Sequence, residues 1–238
     1  MARTIKCIFI NVNSVVSRHR RHYLGLFLDK HKPDVLLMAE HGLSTRHKLD
    51  IRGYLTFRQN GGDGRRGTAI LVRDSLDCER LIIETGAIEN TAVKIRRVGG
   101  ATLTVVSLYR RPLSTMTEAD LEPLIDLANR GGLVIGGDLN ARHTYWGDNT
   151  VNTAGRCLRR FLMMSPSLDI HPTDGPTRIT TESSSFIDLV MTSVDMTPLL
   201  AANGLSTHEF ESDHRAVEAI FPIDEGMILA KWTEDGLI

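Results

Sequence analysis

The sequence predicts an α/β sandwich, two layers of mixed sheet with few helices, and three observations predict it. Residues 35–39 and 133–137 are apolar runs without alternation, which read as strands buried on both faces. Helical spacing is confined to three segments, near residues 17–30, after Thr117 and after Thr153. Strand-like runs fill most of the rest, a pattern too poor in helices for a regular alternating barrel.

In chain order, residues 6–11 are a short apolar run, and Leu24, Phe27 and Leu28 give residues 17–30 one helical face before Pro33. Asp34 introduces the buried strand 35–39, which stops at Glu40. A meander follows, with strands at 54–59, 68–72, 92–95 and 101–109 and a glycine-rich turn at 61–67. Thr117 followed by Asp120 resembles a helix N-cap and its third-position acid, opening an amphipathic helix through Leu121, Leu124, Ile125 and Leu127 before Gly131-Gly132. The strand 133–137 leads to Asp138. Thr153 is placed to cap a helix bearing Leu158, Phe161 and Leu162, and strands are expected at 185–192, 199–206 and 216–221.

The 238 residues are 42% hydrophobic and 24% charged, an ordinary globular composition that fits a single domain. No linker-like stretch, internal repeat, signal-peptide core or run of membrane-spanning length stands out. Cys7, Cys78 and Cys157 are odd in number and lack zinc-ligand spacing, so a reducing intracellular compartment without a structural metal is expected. A net charge of −1 argues against a protein that coats nucleic acid over its whole surface, and leaves room for a local basic groove. Arg65, Arg66, Arg110, Arg111, Arg156, Arg159 and Arg160 lie in or beside loops where they could meet phosphates, although each taken singly reads equally well as an ordinary loop charge.

The chemistry-bearing residues stand at strand ends. Asp138 and Asn140 are two apart after an apolar strand and share a face, with Leu139 pointing back. Ser212-Asp213-His214 precedes another apolar run. Asp188 is an acid inside the strand 185–192 and needs a hydrogen-bonding or cationic partner, for which His214 is the obvious candidate. Tyr109 ends a strand ahead of Arg110. Alone, Glu40 reads as a strand-end acid, Asp138-Asn140 as a turn and Tyr109 as a residue at the rim of the core. Together, carboxylates, an amide and an imidazole fit a magnesium-dependent attack of water on a phosphate.

As an ordered set, Asn11, Pro33-Asp34 with Glu40, Tyr109, Gly137-Asp138-Leu139-Asn140-Ala141, Ser185-Phe186-Ile187-Asp188 and Ser212-Asp213-His214 resemble the endonuclease/exonuclease/phosphatase superfamily. Arg142-His143, Trp146-Gly147, Asn152 with Gly155, and Pro176-Thr177 make the chain similar to the apurinic-like endonuclease domain of non-LTR retrotransposons, of the insect, site-specific type. That resemblance implies a four-layered, DNase I-like α/β sandwich of two mixed sheets flanked by helices. It implies that Glu40 holds Mg2+, for which Mn2+ can substitute, with Asp213 as a second ligand and Asn11 nearby. Asp138 would orient or deprotonate the water with Asn140 beside it, while His214, supported by Asp188, and Tyr109 would contact the scissile phosphate. Asn13 stands where similar abasic-site enzymes carry an acid, and His41 follows Glu40 where many relatives have threonine.

The expected activity is nicking of double-stranded DNA to leave a 3′-hydroxyl that a covalently linked reverse transcriptase domain extends on the element RNA, in the nucleus and away from any membrane. Abasic-site repair, small-substrate phosphatase activity and a non-catalytic DNA-binding module are the alternatives. Candidate DNA contacts are Arg65, Arg66, Arg110, His143, Arg178 and Ser185, with the loops 61–67 and 173–184 placed to read sequence. Residues 1–225 are expected to form the endonuclease domain and 226–238 a junction towards a further domain.

Overall fold

Residues 35–39 need covering on both faces, and the fold supplies a helix on one side and a second sheet on the other. The computed structural model describes residues 3–62, 66–96, 102–200, 202–205 and 210–223. In order it contains β1 (Arg3–Asn11), α1 (Arg18–His31), β2 (Val35–Ala39), β3 (Tyr54–Asn60), β4 (Gly67–Arg73), β5 (Cys78–Leu81), β6 (Glu89–Arg96) and β7 (Thr102–Tyr109). There follow α2 (Glu122–Asn129), β8 (Leu133–Asp138), α3 (Thr153–Met164), β9 (Leu168–His171), β10 (Arg178–Ile179), β11 (Ser184–Ser185), β12 (Asp188–Ser193), β13 (Ala202–Leu205) and β14 (Val217–Ile223).

Two six-stranded mixed sheets result, ordered β13-β14-β1-β2-β4-β3 and β5-β6-β7-β8-β12-β9, with β10 and β11 as a separate hairpin. Val35, Leu37 and Ala39 face the second sheet and pack with Val93, Val105, Tyr109 and Val134. Leu36 and Met38 face the opposite way, against Leu24, Phe27 and Leu28 of α1. The outer face of the second sheet, with Val106, Leu108, Ile135 and Met191, is covered by Leu124 and Leu127 of α2 and by Leu158 and Phe161 of α3. The expected four-layered sandwich is therefore the observed one, and the lack of alternation in β2 and β8 reflects strands sandwiched on both sides.

The two sheets approach closely where Gly136 meets Phe9. A Cβ on Gly136 would lie 2.7 Å from the Phe9 Cβ, so only glycine fits. On the outer side Gly155 of α3 lies against the backbone of Arg142, again too near for a side chain.

Several local expectations are corrected. Asp120 does not enter a helix; its carboxylate accepts from the Thr117 N–H and hydroxyl and from the Ala87 N–H, a turn that pins the 85–88 loop. Helix α2 starts two residues later without a side-chain cap, with Pro123 in its first turn. Asn152, not Thr153, caps α3, its Oδ1 accepting from Gly155 N at 2.7 Å. The middle section is divided between sheets, β3–β4 in the first and β5–β6–β7 in the second. The strand expected from residue 185 begins at Asp188, because Ser184 and Ser185 pair with β10. Strands β5, β9 and β10 have no counterpart in the sequence reading.

Gly136→Val should lower stability by about 1–3 kcal/mol, the usual cost of overpacking a tight core. Urea denaturation followed by tryptophan fluorescence measures it, and an unchanged midpoint would mean that the sheets can separate freely at this point.

Candidate active site

Register, not sequence proximity, assembles the site. Parallel pairing sets Asn11 opposite Ala39, so Asn11 and Glu40 leave the first sheet side by side. In the second sheet Tyr109 lies opposite Asp138, and Asp138 lies opposite Asp188. The turn carrying Ser212, Asp213 and His214 enters β14, which runs antiparallel to β1, and Ser212 Oγ donates to Asn11 O at 2.7 Å. All the strand-end residues thus gather at one end of the sandwich.

The Asn11 carboxamide bridges the sheets. Its Nδ2 donates to Glu40 Oε1 at 2.8 Å and to Asp138 Oδ2 at 2.9 Å, while its Oδ1 accepts from Asn13 N at 3.0 Å. The last bond fixes which end of the amide faces the carboxylates. Glu40 and Asn140 both adopt left-handed backbone, with φ of 53° and 46°, so each strand breaks sharply as it reaches the site. Asp138 Oδ1 accepts from Asn140 N at 2.9 Å, and Asn140 Nδ2 donates to Arg110 O at 2.8 Å.

His214 Nδ1 lies 3.0 and 2.9 Å from the two oxygens of Asp188, both residues being buried. Asp188 in turn receives its N–H bond from Thr177 Oγ1 at 3.0 Å, and Ile187 N donates to the same hydroxyl. Burial lowers the basicity of His214, but the charge and hydrogen bond of Asp188, with help from Asp138 and Asp213, lift it to about 9. Burial, then the charge of Asp188, pushes the Asp138 carboxyl up against the opposing pull of His214 and Asn11. Such an acid is suited to exchanging a proton near neutral pH. Burial and the charge of Glu40, to which its hydroxyl hydrogen-bonds, push Tyr109 well above the ordinary phenol range, so it remains a donor.

The ligand atoms of Asp138, Asp188 and His214 lie within 4.8 Å of one another, which makes this an acidic group able by proximity to hold a metal ion. The imidazole, however, is committed to Asp188 and held positive, and a cation on it opposes a second one. Glu40 offers carboxylate oxygens across the Asn11 amide from Asp138, a hard donor set that fits Mg2+ or Mn2+. Glu40 Oε2 is 3.9 Å from Arg66 Nε. Asp213, the other expected ligand, accepts from Arg178 Nε at 2.8 Å.

The expected DNA contacts divide. Arg66 and Arg178 both reach acids of the site. His143 is partly buried, accepts from Tyr145 N through Nδ1 and leans on the Trp146 ring, and Ser185 is buried at the base of the β10–β11 hairpin. Arg110 is only 2% exposed, and its guanidinium donates to the carbonyls of Leu139, Ser114, Pro112 and Asn140. It clamps the loops beneath Asn140 and cannot meet DNA, because its donors are committed inside the fold. Arg65 and residues 226–238 lie outside the described residues. Sequence reasoning missed the roles of Thr177, of Ser212 and of the ion pair between Arg142 and Asp148, whose carboxylate also takes the Phe186 N–H. Thr177 and Ser212 were in plain view inside the motifs. His41 is buried, with Nδ1 accepting from Leu43 N and Nε2 facing Gln59 O at 3.0 Å; burial lowers its basicity to about 4, so it is a neutral structural link behind Glu40.

Residues 103–218 match the family model described as endonuclease-reverse transcriptase. The chain is 28% identical over 199 residues to the RNA-directed DNA polymerase from mobile element jockey of Drosophila funebris, a match over 80% of this chain and 21% of that protein. It is 31% identical over 181 residues to the probable RNA-directed DNA polymerase from transposon BS of Drosophila melanogaster, over 73% of this chain and 19% of that protein. The chain therefore spans about a fifth of the length of these curated relatives. The solved endonuclease domain of TRAS1, a telomere-specific non-LTR retrotransposon, shares the fold with a TM-score of 0.75 at 24% identity, covering 92% of this chain and 99% of that one.

Two histidines shape the pH dependence of stability in opposite directions. His214, raised from 6.5 to about 9, contributes stability fully present below pH 6.5 and lost as pH rises through 9. His41, lowered to about 4, contributes stability present above pH 6.5 and lost as pH falls towards 4. In urea titrations from pH 4 to 10, Asp188→Asn should flatten the alkaline arm and His41→Gln the acid arm. Parallel profiles for all three proteins would contradict these assignments.

Proposed function

We infer, from a chain with the fold of the TRAS1 endonuclease domain whose residues 103–218 match the endonuclease-reverse transcriptase family, that it is an Mg2+-dependent nuclease nicking double-stranded DNA. The observation that carries this reading is the buried Asp188–His214 pair facing Asp138, tied through Asn11 to Glu40. Glu40 and Asp213 hold the metal, with Arg178 giving up Asp213 to do so. When bound, Mg2+ neutralises charge on the scissile phosphate and lowers the barrier to attack.

Asp138 takes a proton from the attacking water, which Asn140 helps to orient. His214, kept protonated by Asp188, and the Tyr109 hydroxyl donate to the phosphate oxygens as negative charge develops there. The bond from phosphorus to the 3′ oxygen breaks, that oxygen acquires a proton, and a 3′-hydroxyl and a 5′-phosphate remain. The 3′-hydroxyl primes reverse transcription by a covalently linked domain, with the element RNA as template, and the nucleus is the place of action because its substrate is there. Residues 1–225 make up the nuclease unit.

Arg66 and the β10–β11 hairpin, with Arg178, Ser185 and the nearby His143, form the DNA-facing rim. Thr181, Glu182 and Ser183 are exposed at the hairpin tip and carry sequence preference, while phosphate contacts place the duplex.

Supercoiled plasmid with Mg2+ should be nicked, EDTA should stop the reaction, and Asp138→Ala or His214→Ala should lower the rate on the order of 10²–10⁴-fold. Normal nicking by either variant would sink the assignment. Cleavage confined to abasic duplexes would shift the reading to repair, and release of phosphate from small substrates alone would shift it to a phosphatase. Replacing residues 181–183 by Gly-Ser-Gly should redistribute mapped cut sites more than it slows cutting; an equal slowing on every sequence would remove the hairpin from readout.

A further inference from the structure

A second cavity, outside the strand-end cluster, has a volume of about 470 Å³ and lies between the end of β3, strand β5 and the 82–88 loop. It is walled on one side by Leu81, Ile83 and Ile88 and on the other by polar side chains. The donors of that polar wall are committed. Asn90 Nδ2 donates to Ile83 O at 3.1 Å and to Thr85 Oγ1 at 2.8 Å, Arg80 donates to Gln59 Oε1 at 2.9 Å, and the Thr91 hydroxyl is shared with Thr68. Two acceptors are left over. Asn60 Oδ1 and Glu89 Oε2 are buried and have no hydrogen-bond partner, while the other Glu89 oxygen is held by Arg111 at 3.1 and 3.0 Å.

Buried acceptors are normally satisfied, and two of them on one cavity call for a ligand that brings N–H groups. An anion such as phosphate brings none. A planar ring with apolar faces and amino or imino hydrogens on its edge fits both the aliphatic wall and the acceptor pair. The position agrees, because Glu89 lies directly opposite Tyr109 in the β6–β7 ladder, one rung from the hydroxyl that meets Glu40.

We propose that this cavity is a subsite for an unpaired nucleobase bearing N–H donors, with guanine, which carries them on N1 and N2, as its best occupant. The proposal rests on the reading of the chain as a DNA nuclease, and places the bound base beside the nucleotide being cut. Taking an edge that is normally base-paired requires the base to leave the stack, which costs least where the duplex is already unpaired. The subsite thus favours substrates with an unpaired purine near the nick.

The test uses the described chain as it stands, titrated with dGMP, dIMP and dTMP while the side-chain amide of Asn60 is followed by NMR. Binding of dGMP should exceed that of dIMP, which lacks the N2 amine, by about tenfold, the scale of one hydrogen bond. Glu89→Gln, which keeps the shape and replaces an acceptor with a donor, and Asn60→Leu should each weaken dGMP by a similar factor and leave dTMP unaffected. Circular dichroism identifies a variant that fails to fold, and Glu89→Gln then decides alone. Equal binding of the three nucleotides, or unchanged dGMP binding in a folded Glu89→Gln protein, overturns the proposal. The titration needs no turnover, so discrimination by a chain that nicks no DNA would retain the subsite and reject the nuclease reading. Nicking without discrimination would do the reverse.

Discussion

One carboxamide, that of Asn11, joins the two sheets where their strands end, and the catalytic geometry depends on it. With one NH2 group it reaches an acid of the first sheet and an acid of the second, 29 and 127 residues away in sequence. An aspartate at this position would face Glu40 and Asp138 with a third negative charge and no donor. The close approach at Gly136 and Phe9 serves the same end, since the bridge spans only as far as one side chain reaches.

Around that bridge the site separates charge. On one side stands an imidazolium buried between carboxylates; on the other, the oxygens of Glu40, with Tyr109 as a donor between them. Opposed acids at Asp138 and Asp188 are tolerable only because His214 lies beside both, and each acid keeps His214 positive. The three groups therefore fix one another's protonation, which is why truncating any one of them alters the other two.

Much of this was legible in the chain. Unalternated runs at β2 and β8 announced strands covered on both sides, and an acid or amide at the end of each marked the catalytic edge. The pairing of Asp188 with His214 followed from the need of a buried carboxylate for a partner. What could not be read depends on bonds between distant residues. Thr177 captures the N–H groups of Ile187 and Asp188 from ten residues upstream, so β12 starts late and Ser185 belongs to a hairpin. Arg110 sits in a run of polar residues that looks exposed, yet four carbonyls from three loops enclose it. Asp120 has the spacing of a helix cap and instead serves a turn, because the Ala87 N–H competes for it from another loop. The extended surface chemistry of Asp, Thr and Arg is local in sequence and decided elsewhere in space.

The hairpin has a consequence for anyone wishing to redirect the nuclease. Its tip is exposed, but its stem is wired into the chemistry: Arg178 holds Asp213, Ile179 N donates to Asp213 O, Thr177 holds the backbone at Asp188, and Arg215 N donates to Thr177 O. A loop exchanged wholesale from another element would carry away those anchors with the tip. Retargeting by grafting therefore has a natural boundary inside the turn itself, at residues 180–183, where a transplanted sequence can vary while the stem keeps the reactive end of the sandwich in register.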